Sequence, residues 1–464
     1  MKYELLRKKY PQFIYESFSW KVEGKALRIF FDFRVPPDIR FFPELLVENI
    51  DPVRLKKLEW GIVDNLVFNL GLIESLSYWK ATASPEILVR AGSLSEKQVS
   101  WWQDLFRAGL GQYFFENKID FRSRGFLEIS FPFKSRSFRP PHLDLKKRFL
   151  VPLGGGKDSI LTLELLKGNR KKIRCFSLNP NSTTEKILNL AGAAESVVVQ
   201  RQIDPRLLEL NHQGFLNGHT PFSAYLAFLS VLSAVLFDCQ DVAFSNERSA
   251  NEGNVKYLGQ EINHQYSKSF VFEKKFREYC QQHLVRGVTY FSFLRPLYEL
   301  QIARLFSRYP KYFKAFLSCN QARATQSGTR MPSGKWCRRC SKCLFVFACL
   351  YPFLGEKKTA EIFGEDLFEK KELLPVLQEL IGEKSFKPFE CVGTREESLA
   401  ALYLSLEKKR CQKPYLLNYF AKEILPKYPN LRAESRRVLG SWNSQNNLPP
   451  EMKSLLKHKL YNET

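Results

Sequence analysis

The pattern of apolar and polar positions changes near residue 148. Upstream, aromatic strand-like runs such as ALRIFFDF and FLEISFPF alternate with helical stretches such as SEKQVSWWQDLFRAGL. From Arg148 the pattern becomes strand, turn and helix, repeated. RFLVPL predicts a strand and Asp158 to Lys167 a helix; KKIRCFSL predicts the next strand. STTEKILNLAG predicts a helix opened by a capping box from Ser182 to Glu185 and closed at Gly192. ESVVVQ predicts a strand, Pro221 to Asp238 a helix and DVAFS another strand. Alternation of this kind calls for an α/β fold, a parallel sheet with covering helices. Ser135 to Arg148 is basic, carries Pro140 and Pro141, and reads as a linker. Beyond about residue 355 the pattern is mostly helical and charged. The expected organisation is an α+β domain over 1–146, the α/β domain over 147–355 and a helical segment over 356–464.

Composition narrows the class. A chain of 464 residues with 44% hydrophobic content supports a large core and excludes global disorder. MKYELLRKKYPQF has no apolar core of the kind a signal peptide needs. The longest nearly pure apolar run, Ala224 to Phe237, is shorter than the roughly 20 residues that span a bilayer, so it predicts a buried helix and no membrane partner. Ten cysteines are too few for a disulfide scaffold at this length, which points to reduced thiols and a cytoplasmic location. The net charge of +23 suits polyanionic ligands: nucleic acid, an acidic membrane or nucleotides. The basic residues are spread out, with no arginine-rich arm, so no nucleic-acid partner is expected.

The segment RFLVPLGGGKDSILTLELLK places three glycines between a strand and a helix. In a parallel α/β sheet, ligands bind outside the carboxyl ends of the strands. A glycine turn there lets backbone N–H groups approach an anion, and the following helix adds its dipole. Gly154, Gly155 and Gly156 would supply donors, Lys157 a charge and Ser159 a hydroxyl. Asp158 would repel phosphate alone, so it makes sense through a bridging Mg²⁺. The spacing is neither a Walker A loop nor G-x-G-x-x-G.

Cys319, Cys337, Cys340 and Cys343 form two overlapping C-x-x-C pairs plus one upstream cysteine. Four thiolates suit tetrahedral Zn²⁺, with an iron–sulfur cluster as the alternative. Arg338, Arg339 and Lys342 would offset the thiolate charge. Cys175, Cys239, Cys280 and Cys349 lie in apolar periodic segments and read as core. Ser245 to Tyr279 is a long polar stretch that starts at the ligand edge of the sheet. Ser245 and Asn246 are expected at the nucleotide. His264 is the first candidate for a general base. Glu247 and Glu252 follow, and either could instead hold Mg²⁺ or a ribose.

GGGKDS resembles the SGGxDS loop of the PP-loop ATP pyrophosphatases, with Gly154 in place of the usual serine. The cysteine layout is similar to the zinc knuckle of the 7-cyano-7-deazaguanine synthases, which belong to the same group. Together with GLIESLSYWKATASPEILV, WWQDLFRAGLGQYFFEN, YFSFLRPLYELQIA and KPFECVGTREES, these stretches resemble the ATP-dependent UDP-N-acetylmuramoyl-L-alanyl-L-glutamate epimerases of bacterial peptidoglycan synthesis, from about residue 60 to residue 400. The resemblance implies ATP and Mg²⁺ as cofactors, AMP and pyrophosphate as products, and a UDP-muramoyl dipeptide ending in L-Glu as substrate. Adenylating the carboxylate removes its charge, so that a base can take the α-hydrogen. Rival readings are an amide- or nitrile-forming PP-loop enzyme and an RNA-thiolating one.

Overall fold

The computed structural model describes residues 2–132, 138–168, 172–193, 195–320, 322, 334–384, 386–408 and 412–462. The start of the expected linker, Ser135 to Ser137, lies outside them. Its remainder is tied down: Leu143 N–H donates to the Arg286 carbonyl, and Arg286 N–H to that of Pro141.

Eleven strands form one mixed sheet. In chain order, β1 (Gln12–Glu23), β2 (Ala26–Val35), β3 (Ile39–Phe41), β4 (Glu44–Val47), β5 (Glu86–Val89) and β6 (Glu128–Ser130) come from the N-terminal part. Then follow β7 (Phe149–Pro152), β8 (Ile173–Leu178), β9 (Ser196–Gln202) and β10 (Asp241–Phe244). A separate hairpin, β11 (Val255–Tyr257) and β12 (Gln260–Ile262), precedes β13 (Thr289–Ser292). The order across the sheet is β13-β10-β7-β8-β9-β4-β2-β1-β5-β6, with β3 paired to β2. The five strands from β13 to β9 are mutually parallel, as the alternating pattern implies. β9 then meets β4 antiparallel, with Val199 opposite Val47, so the sheet runs unbroken across residue 146.

The helix Trp60–Trp79 is buried along most of its length and packs on the helix Phe222–Leu236, the long apolar run. Arg201 on β9 fixes the first of these by a two-pronged pair with Glu74, at 2.9 and 2.6 Å. Both side chains are nearly inaccessible, and a buried planar pair of this kind is costly to break from one side. A second core surrounds the helices Ser341–Leu354 and Arg395–Lys408.

Local expectations hold with two adjustments. The helix Ser182–Ala191 is capped by Asn181, whose side chain accepts from Thr184 N–H; Ser182 is already inside the helix. Asn in an extended conformation reaches the third amide as well as serine does, so the cap moves one residue back. The polar stretch after β10 is short turns, the β11–β12 hairpin and the helix Phe270–Tyr279 rather than one open loop. Among the described residues, no helix is long and apolar enough to cross a membrane.

Candidate active site

β7 ends at Pro152 and the chain turns through the three glycines into the helix Lys157–Gly168. Gly155 has φ +81°, which a side chain rarely tolerates. Its carbonyl accepts from Leu317 N–H at 2.9 Å, and a Cβ on Gly156 would lie 2.9 Å from the Ser318 hydroxyl. The turn is therefore held against the segment leading to Cys319.

Beside it, at the carboxyl ends of β7 and β10, lies a cavity of about 250 Å³. Gly154, Gly156, Asp158, Ser159, Ser245, Asn246 and Glu247 line it, together with Lys268, Lys342 and Cys391. Seven of the expected site residues thus converge. Asn246 is fixed by its amide on Ser292 Oγ at 3.1 Å, whereas the Ser245 and Ser318 hydroxyls are buried with no hydrogen-bond partner among the described residues.

Lys157 is placed elsewhere. It is fully buried beneath the turn, and its ammonium donates to the carboxylates of Asp158 and Glu299. The other Glu299 oxygen accepts from Lys342 Nζ at 3.0 Å. Burial opposes ionisation of Glu299, but Lys157 and Lys342 outweigh it and hold the carboxyl down, to about 2. Lys157 braces the loop through these carboxylates because its own charge finds partners inside the protein.

The three candidate bases separate. Glu247 lines the cavity and is 3% exposed. Its backbone carbonyl accepts from the buried Arg295 guanidinium at 2.6 Å, while its carboxyl hydrogen-bonds to no described residue. Burial, with Glu299 nearby, pushes that carboxyl up to about 7 against the pull of Lys268. His264 stands one layer back. Its Nδ1 meets Gln112 Oε1, its ring packs on His219 at 4.4 Å, and its Nε2 lies 3.8 Å from Cys391 Sγ. Glu252 points away, taking Lys387 Nζ at 3.2 Å and Arg395 N–H at 3.3 Å.

Cys391 is the functional candidate that the sequence pattern does not single out. Its sulfur sits 3.2 Å from Lys268 Nζ. Burial opposes the thiolate, but Lys268, His264 and Lys342 prevail and bring the thiol down to about 5. The available signal was its setting: KPFECVGTREES is polar, unlike the apolar runs that hold Cys175, Cys239, Cys280 and Cys349, all of them buried.

The four remaining candidates gather. The sulfurs of Cys319, Cys337, Cys340 and Cys343 all lie within 4.8 Å of one another, with 3.7 Å from Cys337 to Cys343 and 3.5 Å from Cys340 to Cys343. A tetrahedron of Zn–S bonds about 2.3 Å long has edges of about 3.8 Å, so the donor set fits zinc. The nearby cations face carboxylates: Arg338 pairs with Glu365 at 3.4 Å and Lys342 with Glu299. Among them, Lys342 has its charge satisfied by a carboxylate on the cavity side rather than by the thiols.

A glycine turn, a carboxylate and a polarised thiol share the carboxyl edge of parallel strands, the edge at which α/β enzymes as a class bind ligands. Two family models cover most of the chain, the MurL N-terminal domain over residues 5–293 and the MurL C-terminal domain over residues 315–435. The UDP-N-acetyl-alpha-D-muramoyl-L-alanyl-L-glutamate epimerase of Salinispora tropica is 39% identical over 337 residues, 72% of each chain. Its counterpart in a Micromonospora species is 38% identical over 342 residues, 73% of this chain and 74% of the relative. That of Xanthomonas oryzae pv. oryzae is 32% identical over 397 residues, 82% of this chain and 83% of the relative. The chain belongs to this epimerase family.

Proposed function

We propose that the chain inverts the α-carbon of the terminal glutamate in UDP-N-acetylmuramoyl-L-alanyl-L-glutamate, giving the D-glutamate epimer for peptidoglycan precursor synthesis, and that it does so through an acyl-adenylate. The observation that carries the mechanism is one cavity shared by the glycine turn, Asp158, Glu247 and Cys391. Such a site would bring backbone amides able to bind phosphate beside groups that can move a proton.

The chemistry requires that combination. An α-hydrogen next to a carboxylate resists removal, because the carbanion would adjoin a full negative charge. Joining the carboxylate to the α-phosphate of ATP, with release of pyrophosphate, makes a neutral acyl centre. A base then takes the α-proton, reprotonation on the other face inverts the carbon, and water frees the product with AMP. The glycine turn and the Ser159 hydroxyl hold the phosphates. Asp158 would hold Mg²⁺, which supplies positive charge where the phosphates crowd. Lys268 favours an anionic substrate at the wall. The cysteine tetrad is read as a structural zinc site, and a cytoplasmic location goes with the UDP-linked substrate.

The test is to incubate the protein with ATP, Mg²⁺ and the muramoyl dipeptide. Pyrophosphate release that depends on the dipeptide, with D-glutamate appearing in the product, is the expected result. Pyrophosphate release stimulated only by tRNA would overturn the reading.

A further inference from the structure

The Cys391 sulfur is not an isolated thiol. Lys268 Nζ lies on one side at 3.2 Å and His264 Nε2 on the other at 3.8 Å. With Nδ1 of His264 turned to Gln112, Nε2 is the nitrogen that faces the sulfur. The helix and hairpin elements around Lys268 and His264 are thereby aimed at one sulfur that lines the cavity. A second ionisable group lines the cavity. Glu247 is almost wholly buried, and its carboxyl meets no described hydrogen-bond partner. A buried carboxyl that lines a cavity is placed to meet a ligand there.

Inverting a carbon needs a proton acceptor on one face and a donor on the other. One cavity presenting an ion-paired thiol and a buried carboxyl supplies both. On the acyl-adenylate reading above, we propose that Cys391 takes the α-proton of the activated L-glutamyl residue and that Glu247 returns a proton to the opposite face. In the first step the Cα–H bond breaks, an S–H bond forms, and the electron pair moves onto the acyl oxygen as an enolate. In the second step the enolate pair forms a new Cα–H bond with the Glu247 carboxyl proton, leaving a carboxylate. The thiol and the carboxylate then return to their starting forms by exchange with water. No oxidant or reductant is involved. His264, which reaches the substrate only through the sulfur, acts as a positioning residue.

The test uses the full chain with ATP, Mg²⁺ and the dipeptide in D₂O. It follows pyrophosphate, deuterium at the α-carbon and the configuration of glutamate. Cys391→Ser should still release pyrophosphate, by hydrolysis of the adenylate, while deuterium uptake falls at least about 100-fold, the lower end of what a positioned acid or base contributes. Glu247→Gln should separate exchange from inversion: L-glutamate becomes deuterated with retention while D-glutamate formation falls by a similar factor. A protein that merely loosened would lose both together. Exchange in Cys391→Ser within threefold of wild type would overturn the role of the thiol. So would an acyl-enzyme on Cys391, seen as a hydroxylamine-sensitive mass increase during turnover. Failure of the adenylate reading looks different: wild-type protein would exchange deuterium without ATP, or would release no pyrophosphate with the dipeptide.

Discussion

Two thiol environments stand back to back in this protein. Cys319, Cys337, Cys340 and Cys343 face one another in a closed cluster. Cys391 faces a cavity, with the Lys268 ammonium and the His264 imidazole beside it and Lys342 in the same wall. Lys342 is the shared wall: it sits between Cys340 and Cys343 in the sequence, its N–H donates to Glu390 at 2.6 Å, and Glu390 adjoins Cys391. Four soft donors with no open position suit a closed, structural metal site. One donor beside fixed cations, with space in front, suits chemistry. The difference lies in what surrounds the sulfur, and the first environment supports the segment that carries the second.

The largest expected effect breaks the closed side. Cys340→Ser should lose zinc, with about one zinc per chain in the wild-type protein, and should destabilise the domain severely, because thiolate ligation contributes of order 10 kcal/mol to folding. Metal analysis and thermal unfolding read this directly. Asp158→Asn attacks the open side instead. It should reduce pyrophosphate release by at least about 100-fold, as expected for losing a ligand of the Mg²⁺ that would offset the phosphate charge. The unfolding temperature should fall only modestly, since Asp158 is partly exposed and Glu299 still pairs with the buried Lys157. A variant that unfolds as Cys340→Ser does would erase the contrast.

Glu247→Gln sharpens the contrast through pH. In the folded chain this carboxyl keeps its proton up to about 7, whereas its ordinary value is 4.5. Between those values the folded state binds more protons than the unfolded one, so Glu247 makes stability fall as pH rises. Glu247→Gln should remove that decline, of order 3 kcal/mol at pH 8. Cys391 works in the opposite sense. With its thiol lowered to about 5 from an ordinary 9, its contribution is complete above 9 and is lost as pH falls towards 5. Urea unfolding at several pH values distinguishes the two slopes. The smallest effect belongs to Arg338→Gln. Its pair with Glu365 is largely solvated, so zinc content should not change and stability should move by less than about 1 kcal/mol.

What could be read in advance was local. An apolar run, three glycines and a leucine-rich stretch define β7, its turn and its helix, because each depends on neighbours within a few residues. The C-x-x-C spacing likewise places Cys337, Cys340 and Cys343 together. Distant partners were not legible. Lys157 follows the glycines as a phosphate ligand would, and nothing near it announces that Glu299 takes its charge. Cys391 meets His264 and Lys268 only through the fold. The four residues of β4 carry no sign that β9 joins them and merges two sheets into one.

That junction bears on how the chain is made. β4 ends at Val47, and its neighbour β9 begins at Ser196. A ribosome adding roughly 5–20 residues per second needs on the order of ten seconds or more to cover that interval. Throughout it, one edge of β4 has unpaired amides and carbonyls, and the apolar helix Trp60–Trp79 has no Phe222–Leu236 to cover it. A nascent chain of this protein therefore carries an open strand edge and an uncovered hydrophobic helix until about half of its length has been synthesised. Slowing translation between β4 and β9 lengthens the exposure of both to chaperones and to aggregation.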